Sequence, residues 1–251
     1  TTSMHFRNMF KKPVDGAKPY TGRIINGQVA EPHSIPFQAF LEVYSWISGW
    51  YCGGSLITST VILTAGHCGF EAEEAHIVLG AQRPQENENT QVRVTSTNIV
   101  VHERFDMDKI LNDIALIILP NAVRTNEYIQ IVPLPSRSDV GNTYEGEIGK
   151  VSGWGLTDGH GDTISDVLRY VENPIISNRE CNQIYGVVED YQMCMSGDGG
   201  RSSCSGDSGG PFTVDGVQVG VVSYGVENCE GGYPSAFTRT TSFLDWIEQN
   251  S

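Results

Sequence analysis

Cys204-Ser205-Gly206-Asp207-Ser208-Gly209-Gly210-Pro211 sets a serine between an aspartate and two glycines, with a further glycine just upstream. A serine hydroxyl is a weak nucleophile until a base takes its proton and N–H donors hold the oxyanion its attack creates. Glycine allows sharp backbone turns and lets a substrate come close to peptide N–H groups. Ser208 therefore reads as an activated nucleophile, with the N–H groups of Gly206 and Ser208 as its oxyanion hole. The same residues also spell a polar turn. The chemical reading requires a histidine and a half-buried carboxylate elsewhere in the chain.

Two neighbourhoods supply them. Thr64-Ala65-Gly66-His67-Cys68 places a histidine at the end of an apolar run, Val61 to Ala65. Asn112-Asp113-Ile114-Ala115-Leu116 places a carboxylate at the head of another, Ile114 to Leu119. A carboxylate in that position can hold an imidazole in one tautomer and stabilise its protonated form. Either group alone could be structural. Histidine, aspartate and serine together in one cysteine-bearing β-rich chain point to acyl transfer.

With these residues in place, the chain resembles the trypsin/chymotrypsin family of secreted serine endopeptidases across residues 24–251. The resemblance rests on Ile24-Ile25-Asn26-Gly27, Cys52-Gly53-Gly54-Ser55-Leu56-Ile57, Thr64 to Cys68, Asp113 to Leu116, Ser152-Gly153-Trp154-Gly155, Gly206 to Pro211 and Ser223-Tyr224-Gly225. It implies an all-β fold of two six-stranded antiparallel barrels packed together with a C-terminal helix. His67 and Asp113 would come from the first barrel and Ser208 from the second. The implied roles are those of the family: His67 takes the Ser208 proton and returns it to the leaving amine, and Asp113 orients His67. Ser223 would support Asp113. Residues Ser223, Tyr224 and Gly225 would pair with substrate backbone as an added strand. The implied specificity pocket has Ser202 at its base, Gly225 at its open mouth and Ser235 on its third wall. A serine at the base, where an aspartate would select Arg or Lys, predicts chymotrypsin-like cutting after Phe, Tyr, Leu or Met. Elastase-like or collagenolytic specificity is the alternative within the class, and a non-catalytic binding or regulatory homologue the alternative outside it.

The resemblance also gives Asp207 a separate task. In the family, a cleaved N-terminus folds inward and its amine pairs with the aspartate beside the nucleophile. Here the cut would follow Arg23 and the amine would be that of Ile24. Residues 1–23 then form an activation propeptide and 24–251 the peptidase domain. Within that domain the first barrel spans about 24–131, a linker about 132–148, and the second barrel with the helix about 149–251. Some relatives hold Asp207's equivalent with a histidine before that cut; Trp50 stands at that place here, so its partner in the uncut chain is open.

The rest of the chain bounds this picture. Six cysteines without a C-x-x-C pair suit three disulfides in an oxidising compartment. Sequential pairing, Cys52–Cys68, Cys181–Cys194 and Cys204–Cys229, is the natural choice among the fifteen connectivities that six allow. No apolar run is long enough for a membrane span, and no signal peptide opens the chain. The expectation is a secreted, extracellular and monomeric protein, with a gut lumen as its candidate site, whose signal has been removed. The net charge is −14. Residues 1–23 hold five basic side chains against Asp15, so the remaining residues carry −18. Such a body repels nucleic acid and anionic lipid. Expected partners are protein or peptide substrates, a trypsin-like activating protease and protein protease inhibitors. No cofactor and no metal are expected. The loop after Leu79-Gly80, which holds calcium in some relatives, has Ala81 in place of the first glutamate, despite Glu86 and Glu88.

Short β-rich runs separated by Gly, Pro and Asn turns must position these groups. Asp215-Gly216 between Phe212-Thr213-Val214 and Val217-Gln218-Val219 predicts a hairpin, and Ser242 to Asn250 a capped terminal helix. Trp46, Ile47, Trp50 and Tyr51 cluster before Cys52, where they either pack or grip substrate. His102 reads as a surface residue, and Asp158 to Asp162 as an exposed, nickable loop. The absence of an accessory domain before the short leader favours a digestive role. Three disulfides and an acidic body resemble arthropod gut chymotrypsin-like and collagenolytic enzymes.

Overall fold

The structure is a computed structural model, and it describes residues 27–156, 163–226, 229 and 231–251. Arg23, Ile24 and the run Asp158 to Asp162 therefore lie outside the described residues.

The chain opens with β1 (Gln28–Val29) and then builds a first barrel from β2 (Gln38–Tyr44), β3 (Gly49–Thr58), β4 (Val61–Thr64), β5 (Glu74–Leu79), β6 (Val92–Ser96), β7 (Asn98–Val101) and β8 (Ala115–Ile118). The hydrogen-bonded order is β6-β5-β2-β3-β4-β8-β7, all antiparallel. Only Thr97 separates β6 from β7, so residues 92–101 act as one bent strand. One half pairs with β5 and the other with β8, which closes the ring. Counted this way, the barrel has the expected six strands. Its interior is filled by alternate residues such as Leu41, Leu56, Leu63, Ile77, Leu79 and Leu116, the period-two burial that pleated strands impose.

The second barrel comprises β9 (Ile148–Gly153), β10 (Arg169–Ile176), β11 (Gln192–Met195), β12 (Pro211–Val214), β13 (Val217–Tyr224) and β14 (Ser235–Arg239). Its ring closes through pairing of β9 with β10, and β1 adds to the outside of β10. Phe212 and Phe237 stack in its core with centroids 3.9 Å apart. The turn between β12 and β13 places Asp215 and Gly216 at φ 47° and 80°, the left-handed pair that an Asp-Gly hairpin needs. The last helix spans Leu244–Asn250 after a 3-10 turn over Thr240–Phe243, and no side chain caps it. The helix thus starts two residues later than the serine signal suggested.

The barrels are joined by buried polar contacts as well as by apolar packing. Ser55 donates to Gln218 Oε1 and Ser152 donates to Gln38 Oε1, each at 2.6 Å. Trp154 packs edge-on to Phe40 and donates its indole N–H to the Gln82 carbonyl. The three disulfides are Cys52–Cys68, Cys181–Cys194 and Cys204–Cys229.

His102 corrects an expectation. It is 4% exposed, not a surface residue. Its ring lies against Phe243 and Trp246 of the C-terminal segment, and its Nδ1 accepts the Arg104 N–H. Those aromatic partners lie some 140 positions away in sequence and leave no local mark around residue 102. The aromatic cluster before Cys52 also divides. Trp46 and Ile47 are 88% and 82% exposed at a hairpin tip, whereas Trp50 donates to the Cys68 carbonyl and Tyr51 packs on Phe40.

Candidate active site

His67 lies in a single helical turn, α1 (Gly66–Gly69), directly after β4. Gly66 is required there, since a Cβ would collide with Phe105 and with the backbone nitrogen of Ile114. The Cys52–Cys68 bridge ties this turn back to β3. Asp113 sits just before β8, with its side chain fully buried. Its carboxylate meets His67 twice: Oδ1 accepts the His67 backbone N–H and Oδ2 lies 2.8 Å from Nδ1. A carboxylate brings no proton to that contact, so Nδ1 carries it and Nε2 presents its lone pair.

The second barrel completes the environment of Asp113. The register between β13 and β14 slips between Val222 and Tyr224, so Ser223 lies in a bulge. Bulges re-aim side chains, and Ser223 donates to Asp113 Oδ2 at 2.5 Å. Thr238 on β14 donates to the Asp113 backbone carbonyl at 2.7 Å. Burial pushes the Asp113 carboxyl up, but His67 and the hydrogen bonds from His67 and Ser223 outweigh it and hold the group below the usual carboxylate range. Thr238 was missed from sequence; a threonine in a strand carries no sign of which carbonyl it meets.

Ser208 is held by backbone. Its carbonyl accepts the Gly53 N–H at 2.7 Å, and Gly209 N–H donates to Val222. Gly209 has φ +78°, and a Cβ there would strike Thr64 Oγ1 and the Gly53 carbonyl. The serine segment therefore packs directly on the strands that precede His67. Gly206 has φ +95°. Among the described residues, the N–H groups of Gly206 and Ser208 donate to no protein acceptor.

Asp207, beside Ser208, has no exposed surface. Oδ1 accepts the Gly155 N–H at 2.8 Å and Oδ2 the Cys204 N–H at 3.0 Å. Both Gly153 and Gly155 press against it, and a Cβ on either would overlap the carboxylate. Burial pushes its pKa up to about 6, against the pull of those two N–H bonds. Among the described residues, two peptide N–H groups hold Asp207 and no cationic side chain bonds to it.

The profile of the trypsin family matches residues 24–247. The chain belongs to the trypsin family. It is 44% identical to a chymotrypsin of Phaedon cochleariae, covering 98% of this chain and 88% of that protein. It is 46% identical to a brachyurin of Leptuca pugilator, covering 90% and 97%, and 39% identical to a collagenase of Hypoderma lineatum, covering 96% and 92%. A solved collagenase structure superposes with a TM-score of 0.83 at 38% identity, over 90% of this chain and 97% of that one. Trypsin-family proteins of this kind are serine proteases, so the chain is a hydrolase of peptide bonds.

Two of the expected pocket residues, Ser202 and Ser235, lie beside Ser203 and the Cys204–Cys229 bridge. Ser202 donates to the Cys229 carbonyl at 2.6 Å. Ser235, at the start of β14, accepts the Ser203 N–H at 3.1 Å and lies 3.0 Å from the Ser203 hydroxyl. Ser203 was not singled out from sequence, although it adjoins Ser202. Gly225 faces open space, with nothing within 4 Å of where a Cβ would stand. Tyr224 meets Tyr185 edge-on, and Tyr185 donates to the Pro234 carbonyl.

The loop that holds calcium in some trypsin-family members does not fit a cation here. Ala81 offers no side-chain donor. Glu88 Oε2 already accepts from Gln82 N, Arg83 N and Gln91 Nε2. The Arg93 guanidinium sits on the carbonyls of Pro84 and Glu86. Cys52, His67 and Cys68 form the one metal-sized cluster among the described residues, but both sulfurs belong to the disulfide.

Proposed function

We propose that this trypsin-family chain is the proenzyme of a secreted, digestive serine endopeptidase with chymotrypsin-like preference. In this reading residues 1–23 are the activation propeptide and 24–251 the peptidase domain. A trypsin-like protease cuts after Arg23. The new Ile24 amine then pairs with Asp207, replacing two weak peptide donors with a full opposite charge. A buried carboxylate lacking such a partner is costly, and that cost drives the pairing.

In the cut enzyme Ser208 attacks the substrate carbonyl and His67 Nε2 takes its proton. The oxyanion is held by the N–H groups of Gly206 and Ser208. His67 then protonates the leaving amine, and water hydrolyses the acyl-enzyme by the same steps in reverse. Asp113 fixes the imidazole, with Ser223 behind it. Residues 223–225 hold the substrate backbone as an added strand. The observation that carries the reading is the convergence on Asp113 of two bonds from His67 and one from Ser223, coming from both barrels.

A serine-based pocket without a carboxylate at Ser202, with an open mouth at Gly225, favours Phe, Tyr, Leu and Met before the cut. The relatives named chymotrypsin, brachyurin and collagenase accord with a digestive role. They also keep collagenolytic cutting as the second reading. Protein protease inhibitors would compete for the same cleft, and the enzyme is expected to act as a monomer.

The test is to cleave the chain after Arg23 with trypsin, titrate it with a serine-directed organophosphonate, and assay peptides that differ only in the residue before the cut. Stoichiometric labelling of Ser208 only after cleavage, and fastest turnover at large apolar residues, are expected. Full labelling of the uncut chain would refute the latch. Fastest turnover after Arg or Lys would refute the pocket reading.

A further inference from the structure

Ser203 lies next to Ser202 in the chain and meets Ser235 in the proposed pocket, and the three hydroxyl protons can be followed one by one. Ser202 commits its proton to the Cys229 carbonyl at 2.6 Å. Ser203 and Ser235 are 3.0 Å apart, oxygen to oxygen, and the same Ser235 oxygen accepts the Ser203 N–H at 3.1 Å. Two hydroxyls bring two protons, and one of them lies between the two oxygens. Whichever serine donates it, the other proton has no protein acceptor among the described residues. Both serines are buried, Ser235 at 1% exposure. With Ser203 as donor, both lone pairs of Ser235 are occupied and its own proton is the unspent one.

A buried donor left without an acceptor is costly and is normally satisfied, by water where protein does not reach. A substrate side chain that enters the pocket displaces that water and must replace its bond or lose it. We propose that the Ser203–Ser235 pair is a hydrogen-bond-donating base that selects side chains ending in an acceptor. Side chains ending in an acceptor, as in Asn, Gln, Tyr and Met, gain rate over what their size and apolar burial alone would give, while Phe and Leu remain good substrates through that burial. The inference rests on the reading of Ser202, Gly225 and Ser235 as the specificity pocket and refines its substrate class. The pair carries no charge, and Ser202 is already engaged, so nothing at this base adds a preference for Arg or Lys.

The logic makes the two serines redundant in a particular way. In Ser203→Ala, Ser235 keeps the N–H bond of residue 203 and its own unspent proton. Only removal of both hydroxyls removes the hydroxyl donor. Asn and Leu are nearly the same shape, so their ratio within one variant cancels changes in pocket volume and in the fraction of folded enzyme.

The experiment uses the full chain cut after Arg23, with enzyme concentration set by active-site titration. Values of kcat/KM are measured for peptides carrying Asn or Leu before the cut, in wild type, S203A and S203A/S235A. The Asn-to-Leu ratio is expected to stay within about twofold in S203A and to fall about tenfold in the double variant. A ratio unchanged in the double variant overturns the proposal. A chymotrypsin-like preference that persists beside that unchanged ratio leaves the broader pocket reading standing. Preference for Arg or Lys, or enzyme that fails to titrate, would instead count against the broader reading.

Discussion

Ser223 and His67 meet the same oxygen of Asp113, Oδ2, from opposite barrels, at 2.5 and 2.8 Å. The carboxylate is thus a joint between two halves of the molecule as well as a partner of the imidazole. Its position is set only when both barrels are folded and docked.

This predicts a graded response to substitution. Ser223→Ala should lower kcat about tenfold with little change in KM, since one bond to a buried charge is lost while the substrate-facing backbone stays. Asp113→Asn should cost about four orders of magnitude, the loss that this change brings in the family's own template. Steady-state kinetics on titrated enzyme check both, and equal losses from the two variants would contradict the ordering.

Gly225 should act as a size gate. Its φ lies outside the left-handed range and the space around its missing Cβ is open, so Gly225→Val should fold normally while filling the mouth of the proposed pocket. The expected result is a fall of about a hundredfold in kcat/KM for peptides with Phe before the cut. Peptides with Ala there should change little. The ratio of the two rates is the measurement.

Asp207 should make the uncut chain less stable as pH rises. Its native pKa is about 6, above its ordinary 3.8. The folded state therefore holds the proton more tightly than the unfolded state does. That contribution is fully present below about pH 4 and is lost as pH rises through about 6, at an order of about 3 kcal/mol. Denaturant titrations of the uncut chain at pH 4, 5, 6 and 7 should show it, with Asp207→Asn as the flat reference. Cleavage after Arg23 should reverse the trend, because a paired ammonium favours the ionised form.

His102 should contribute the opposite slope on the acid side. Burial holds its pKa below the usual imidazole value; Glu103 opposes that shift and Arg104 adds to it. The unfolded chain then binds the proton more readily. Stability is full above about pH 6.5 and falls as pH drops toward the lowered native value. His102→Phe keeps an aromatic ring between Phe243 and Trp246 and has nothing to titrate. Its melting temperature should fall less between pH 7 and pH 5 than that of wild type.

Much of this molecule was legible as text because its chemistry needs particular residue types at particular places. Gly66, Gly206 and Gly209 are required by backbone approach or left-handed angles, and the six cysteines pair with near neighbours along the chain. What stayed hidden depends on partners remote in sequence or on groups every residue shares. The donors to Asp207 are peptide N–H groups, and nothing in the names Gly155 and Cys204 announces them. The burial of His102 depends on a helix at the far end of the chain. The closure of the first barrel turns on a break at Thr97, where neither the residue nor its neighbours spell a bend. Thr238 is chosen by strand register, and register between β13 and β14 depends on a bulge.

The cavity around Asp207 is moulded as well as polar. Gly153 and Gly155 press on the carboxylate so closely that neither can gain a methyl group while it is there. The three positions are therefore interlocked in volume. Lengthening the acid by one methylene, as in Asp207→Glu, keeps the charge and still leaves no room for it. Any change at one of these three sites must be matched at another, which would make the proposed latch a lock of shape that charge-preserving substitution alone cannot open.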